Sequence, residues 1–372
     1  MSCSLVSKAW LEPSRRLLFA NASVSVDVEN CQSWLDDISP TNSRLLHHVR
    51  SFTYFAERRG PPDPRYSVYT LREYLPSLYR LHTLTFRNMD IEPEISEHLY
   101  LFSAFQHTLV SLSLSQVSVA WSAFVALIGH FPNIKDLEIL WVSFETDGRP
   151  IPPPARALRG RLSTDLIERT SADIFIDRFP SLRLEYEELV IFWKFEPRLL
   201  ATVEKSLKYL KFVRQIRTSP AEPDISRSEP SRFPANLDLS RCSELRQLEV
   251  CVENHRPQEL MLISSITSTN FRKLVFVSRE LRKLFHFVEF GWAEFDDMIC
   301  GLVDRLRSSR YNHTLEVEFR TESVELGEEH YSTILPKFRE KGRVEIVVEG
   351  SDRMLSMFPL LRSRRRRVGH KV

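Results

Sequence analysis

Glycine is scarce in this chain, ten residues among 372. No glycine-rich loop opens a helix, so the backbone cradles that hold phosphate are excluded. There is no Gly-x-Ser-x-Gly elbow and no His-Glu-x-x-His pair, which removes the familiar hydrolase and zinc-protease signatures. Cysteine is also sparse: Cys3, Cys31, Cys242, Cys251 and Cys300 are scattered without metal-ligand spacing. An odd, dispersed set fits a reducing compartment. No apolar run approaches the length that spans a bilayer, and the N-terminus lacks a long apolar region of the signal-peptide type. The expectation is an intracellular protein of cytoplasm, nucleus or both, with no membrane partner. Asn21 and Asn312 match the glycosylation acceptor pattern and should then stay bare.

Paired polar residues offer little for catalysis. His47 and His48 are adjacent, so their side chains diverge on a helix or strand and do not converge on one metal. Asp36-Asp37, Asp296-Asp297 and Glu328-Glu329 read as acids that favour helix starts. No catalytic residue, cofactor or metal is expected, and the chain does not read as an enzyme.

Charge is uneven. The formal net charge is +2, yet Ser351–Val372 holds seven Lys or Arg against one acid, Asp352, which leaves the remainder at −4 (2 − 6). Nucleic acid is therefore disfavoured as a partner of the body. The tail, residues 351–372, contains Arg364, Arg365, Arg366 and Arg367 in one run. Four adjacent like charges repel, so this basic segment should be disordered, and the run is an import-signal candidate.

What is present is a repeat. Leu81–Ile91 (LHTLTFRNMDI), Leu109–Val119 (LVSLSLSQVSV) and Ile134–Phe144 (IKDLEILWVSF) fill positions one, four, six, nine and eleven with apolar side chains. The first six residues return more loosely at Val49, Tyr186, Leu207, Leu245 and Phe271. In an extended strand alternate residues face the same way, so positions four and six enter one interior. One such unit cannot bury its apolar face alone, whereas stacked neighbours with parallel strands can. The spacing resembles the leucine-rich repeat. That resemblance implies an α/β fold, a leucine-rich-repeat-like solenoid of parallel strands alternating with helices. The family's usual Asn or Cys at position nine is replaced by Met89, Val117 and Val142, so an irregular arc is expected.

Helices are expected at Glu94–Thr108, at Trp121 to Ile128, at 166–179 and 199–205, at Glu259–Ile266, around Phe295 to Leu306, and at 328–340 with a break at Pro336. Further strands are expected at Leu315–Phe319 and Val344–Val348. Residues 27–350 form the repeat domain, with Pro-rich insertions near 146–161 and 214–236 and a polar Pro-rich loop over 58–66.

The N-terminal strings Cys3–Trp10 (CSLVSKAW) and Leu11–Val24 (LEPSRRLLFANASV) resemble the second half of an F-box, in the form common ahead of repeat regions in fungal, basidiomycete-type proteins. The resemblance assigns residues 1–26 to a short helical F-box remnant. It implies a Skp-type adaptor of a cullin ubiquitin ligase as partner, with Leu5, Val6, Trp10, Leu17 and Phe19 as the adaptor-facing module. The family's first helix, with its Leu-Pro pair, has no counterpart here, so a stand-alone repeat scaffold is the alternative expectation.

The repeat frame also names the strand face that points away from the interior. Arg87, Glu138, Leu140, Val190, Phe192, Lys211, Glu249 and Val275 are expected there as a surface for an unknown protein target. The later strands carry apolar residues on that face, and a second layer covering them is the competing expectation.

Overall fold

The computed structural model describes residues 13, 23–27, 49–55, 75, 78–91, 93–148, 157–165, 169–178, 184–191, 197–213, 237–251, 262–280, 292–308, 314–323 and 335–348. The chain divides into two compact units, Met1–Tyr186 and Glu187–Val372.

In the first unit the strands are β1 (Ser23–Asp27), β2 (Ser51–Phe55), β3 (Thr83–Arg87), β4 (Asp90–Ile91), β5 (Ser111–Ser115), β6 (Ser118–Ala120), β7 (Asp136–Leu140), β8 (Ser143–Glu145) and β9 (Leu158–Asp165). β1, β2, β3, β5, β7 and β9 lie side by side in that order, each pair parallel. The register is that of the repeat: Leu84 faces Leu112, which faces Leu137, and Phe86 faces Leu114, which faces Ile139. These interior residues are all buried. β4, β6 and β8 form a second, short parallel sheet at the end of each rung.

That short sheet answers for the absent Asn or Cys at position nine. Position eight of each rung, Asn88, Gln116 and Trp141, is left-handed, with φ of 54°, 56° and 55°. A non-glycine residue there costs about 1–2 kcal/mol. The corner is held because its N–H groups are satisfied by the next rung: Asn88 donates to the Ser115 carbonyl (3.0 Å), Gln116 to Leu140 (2.8 Å) and Trp141 to Asp165 (2.9 Å). One residue further on, Ser118 donates to the Met89 carbonyl (3.1 Å) and Ser143 to that of Val117 (2.9 Å). Backbone groups thus do what a side-chain ladder would do, and Met89, Val117 and Val142 are free to be buried.

Helix α1 (Trp121–His130) covers the interior, with Trp121, Phe124, Val125 and Ile128 buried as the spacing predicts. α2 (Arg169–Arg178) follows β9. Aromatic rings tie rungs together: Phe144 lies 5.0 Å from Phe124, 5.5 Å from Trp121 and 5.4 Å from Phe175. Phe102 lies 6.5 Å from Phe86 and 6.0 Å from Phe131. Each such pair adds about 0.5–1.5 kcal/mol to plain burial.

In the second unit β10 (Leu184–Ile191, which carries the division between units), β11 (Tyr209–Phe212), β12 (Gln247–Cys251), β13 (Lys273–Glu280), β14 (Glu316–Ser323) and β15 (Arg343–Val348) again pair in parallel and in sequence order. Helices α3 (Pro197–Val203), α4 (Trp292–Ser308) and α5 (Pro336–Arg339) alternate with them. The buried Asp296 of α4 accepts the N–H groups of Lys337 (2.8 Å) and Phe338 (2.9 Å), and so caps α5 from outside its own sequence. Neighbouring Asp297 pairs with Lys337 at 2.5 Å.

Several expectations are corrected. Residues 23–26, assigned to the N-terminal helices, are strand. The insertion expected to run to 161 stops earlier, because Leu158–Asp165 is strand β9. Its rung has Arg159 at position one and Thr164 at position six, so the apolar frame is missing although the register with β7 is kept. The single helix expected over 94–108 is two 3₁₀ segments, Pro93–Glu97 and Leu99–Phe105. Their three-residue turns place Phe102 and Phe105 against the same interior. Residues 262–265 make a 3₁₀ turn, and 259–261 lie outside the described residues. Pro336 starts a helix, after Leu335 in the left-handed region at φ 50°, and the stretch 328–334 of the expected helix lies outside the described residues. The 58–66 loop, the 214–236 insertion and the basic tail lie outside the described residues.

Gly160 is required where β9 begins. Its φ is +111°, and a Cβ there would collide with the Lys135 carbonyl oxygen, which accepts the Arg161 N–H at 2.7 Å. Gly160→Ala should therefore cost about 1–3 kcal/mol of stability, read as a lower denaturant midpoint at unchanged slope. An unchanged midpoint would show that the β7–β9 junction is not held this tightly.

Candidate partner-binding face

Alternation along each strand sends every second side chain away from the interior. In the first unit this face is mostly polar. One row runs Thr53, Thr85, Ser113, Glu138, Ser163, and the next runs Phe55, Arg87, Ser115, Leu140, Asp165. Ser113 donates to Glu138 at 2.5 Å, and Trp141 Nε1 donates to Asp165 Oδ2 at 2.8 Å. Arg87 is exposed and Glu138 and Leu140 are half-buried, so the three expected contact residues of this unit share one face.

In the second unit the face is ionic. Val190, Lys211, Glu249, Val275, Glu318 and Glu345 form one row across β10–β15. Tyr209, Gln247, Lys273, Glu316 and Arg343 form the row before it. Lys211 pairs with Glu249 at 2.5 Å. Arg320 pairs with Glu318 on its own strand and reaches Glu249 on β12 at 3.1 Å. To do so it passes over β13, the strand of Val275, which is fully buried. Lys273 bridges Glu316 (3.0 Å) and Glu318.

This network corrects part of the expected contact surface. Val190, Glu249 and Val275 are buried rather than presented, while Lys211 stays half-buried. Long cationic side chains lie across the row, and their stems shield what is beneath. Phe192 and the adaptor-facing residues Leu5, Val6, Trp10, Leu17 and Phe19 lie outside the described residues, as do Arg364–Arg367. Sequence reading missed Glu316, Glu318, Arg320 and Glu345, although the alternation in EVEFR and RVEIVV places them on this face.

Chemically the arrangement is a charge-compensated surface. Glu316, Glu318 and Glu345 bring carboxylate oxygens within 4.8 Å of one another, but the Lys273 ammonium already bridges the first two. Burial raises the Glu318 carboxyl, and the hydrogen bonds from Lys273 and Arg320 outweigh it, so its pKa is held below the usual value. Burial lowers the Lys273 ammonium, and its bonds to Glu318 and Glu316 more than reverse that. Cys242 is buried, and desolvation first, with Glu204 and Asp238 nearby, pushes its thiol up to about 12, too high for a thiolate nucleophile at neutral pH. His130, packed against Phe131 at 5.1 Å, is held below its ordinary value by burial and then by His107.

The pH dependence follows in sign. Glu318 is depressed on folding, so its contribution is complete above the unfolded value near 4.5 and is lost as pH falls through the lower folded value. Lys273 is raised on folding, so its contribution is complete below 10.5 and is lost as pH rises through the higher folded value. Glu318→Gln should lower stability at neutral pH by about 1–2 kcal/mol, since its partners are partly solvated. It should also flatten the acid limb of the stability curve. An acid limb identical to that of the parent would show that the network contributes nothing.

No family model and no curated protein matches the chain. Among solved structures it is similar to the leucine-rich repeat-containing protein LegL7 from Legionella pneumophila, at 12% identity and a TM-score of 0.40, over 86% of this chain and 89% of that one. At that score the likeness carries no weight, and the fold rests on the strand register and the repeat frame described above.

Proposed function

We propose that the protein is a non-catalytic interaction module that receives another protein on the outward faces of its strands, and that it serves as an F-box-type substrate receptor of a cullin ubiquitin ligase. The observation that supports the interaction reading is the registered outward face itself, with Arg87, Glu138 and Leu140 on adjacent rungs and within reach of solvent. The acid pair within the described residues has structural work: Asp296 caps α5 and Asp297 pairs with Lys337.

The ubiquitin-ligase step rests on the F-box resemblance of Cys3–Val24, with Leu5, Val6, Trp10, Leu17 and Phe19 as its adaptor side. Tagged protein should co-purify with a Skp-type adaptor, and a Leu5→Asp/Trp10→Asp variant should lose it. Failure of the unaltered chain to retain the adaptor removes the ligase role and leaves the second reading, a repeat scaffold without it. One observation favours that second reading: Ser23–Val26 pair with β2, so the helical string ends four residues short of its expected limit.

The basic run Arg364–Arg367 is proposed as an import signal. Its replacement by alanine should shift a tagged protein from nucleus toward cytoplasm at an unchanged melting temperature. An unchanged distribution removes the import reading.

A further inference from the structure

We propose that the leading edge of the first unit, where its strands begin, is a docking strip for an acidic polypeptide segment. This goes beyond the ubiquitin-ligase reading and does not depend on it. Charges in that unit are sorted by edge. Among the described residues, where the strands begin stand five exposed cations, Arg50, Arg80, Lys135, Arg159 and Arg161, against two exposed acids, Asp136 in register with Arg161 and Glu185 against Arg159. Where they end stand Asp90, Glu94, Glu97, Glu145, Asp147 and Asp165, with Arg87 as the cation among them. Such sorting leaves a net positive balance along one edge and a net negative one along the other, and an imbalance of that kind steers and orients a charged partner.

The basic edge is built by the repeat. Arg50, His82, Val110 and Lys135 each immediately precede a strand. Their backbones bond in series: the Arg50 carbonyl accepts from His82 (2.8 Å), that of His82 from Val110 (2.9 Å), that of Val110 from Lys135 (2.8 Å) and that of Lys135 from Arg161 (2.7 Å). Rungs about 4.8 Å apart make the strip about 19 Å long, the reach of about six extended residues. Side chains are positioned as well. His82 Nδ1 donates to the Arg80 carbonyl (2.6 Å), which leaves Nε2 to accept from Arg50 Nη1 at 3.1 Å. The Arg80 guanidinium stands 5.6 Å from the ring centre of exposed Tyr79. Among the described residues, no carboxylate pairs with Arg50, Arg80 or Lys135, whereas Arg159 is held by Glu185 at 2.8 Å.

A short acidic peptide fits this strip better than nucleic acid does. Nucleotides are spaced more widely than extended residues, so a phosphate backbone of about six units would overrun the strip onto Glu185. The chain outside the basic tail also carries −4 (2 − 6), and Tyr79 alone would supply little stacking.

The test uses the full chain with Arg353, Arg362, Arg364–Arg367 and Lys371 replaced by alanine, so that the tail carries no cation to hold the probe. A fluorescein-labelled hexaglutamate peptide should give a saturable rise in anisotropy at about 50 mM salt, weakened about tenfold at about 300 mM. Arg50→Glu/Arg80→Glu/Lys135→Glu should weaken it at least about tenfold, and Arg50→Lys/Arg80→Lys should stay within about threefold, because the interaction is one of charge rather than of bidentate geometry. No saturable binding, binding that survives charge reversal, or equal binding of hexalysine would overturn the proposal. Tighter binding of a hexanucleotide would overturn it in favour of nucleic acid. If the triple variant does not fold, Arg80→Glu and Lys135→Glu singly decide it, and undiminished binding in both overturns it.

Discussion

A rung of this fold has no stable existence by itself. Its carbonyl before the strand accepts two N–H groups of the following rung, as Arg50 does from His82 and Thr83, and Val110 from Lys135 and Asp136. The same arrangement recurs in the second unit, where Arg246 accepts from Arg272 and Lys273. This sharing fixes the register, and the register fixes everything placed on it. Leucines at positions four and six stack in the interior only because the rungs do not slip, since a slip of one residue would turn them outward. The outward rows and the basic edge are aligned by the same constraint.

The corner at position eight shows how the fold manages without a side-chain ladder. A left-handed Trp141 is an expensive choice, and its indole is tied to Asp165 while its backbone N–H reaches the Asp165 carbonyl. Cost and compensation sit on adjacent rungs, so the corner holds only while the stack does. The three-strand side sheet extends the same logic by two or three residues. It removes the need for a polar position nine, and apolar burial of Met89, Val117 and Val142 follows.

Most strands were legible because their interior residues are apolar at fixed spacing, and all three full matches became rungs in the expected order. β9 was not legible, because its interior positions are Leu162 and Thr164 and its first position is Arg159. Backbone pairing, not hydrophobicity, places that rung. The two 3₁₀ segments were misread for a related reason: apolar residues at 99, 102 and 105 fit a period of three, and those at 95, 99 and 102 fit one of 3.6. On the outward face, the alternation told which residues point out but not which remain accessible. Val275 and Glu249 are shielded by Arg320, which starts two strands away from β12, and no one-dimensional pattern shows a side chain that crosses a neighbouring strand.

That shielding bears on how the second unit presents itself. Glu249 and Glu318 are carboxylates on a sheet face, where exposure would be ordinary, yet both are buried. Their burial is tolerated because Lys211, Lys273 and Arg320 meet them from three strands, giving each carboxylate more than one cation. A network of this kind contributes little to net stability compared with an apolar replacement, but it is directional. Any partner approaching the row must either leave the pairs intact and contact the cationic stems, or supply its own charges in their place. The second course first breaks the pairs of two buried acids, which costs several kcal/mol before any new charge replaces them. Contact with intact pairs is therefore the lower-energy course, and it favours partners that read the half-buried Lys211 and the exposed Tyr209 over partners that compete for Glu249.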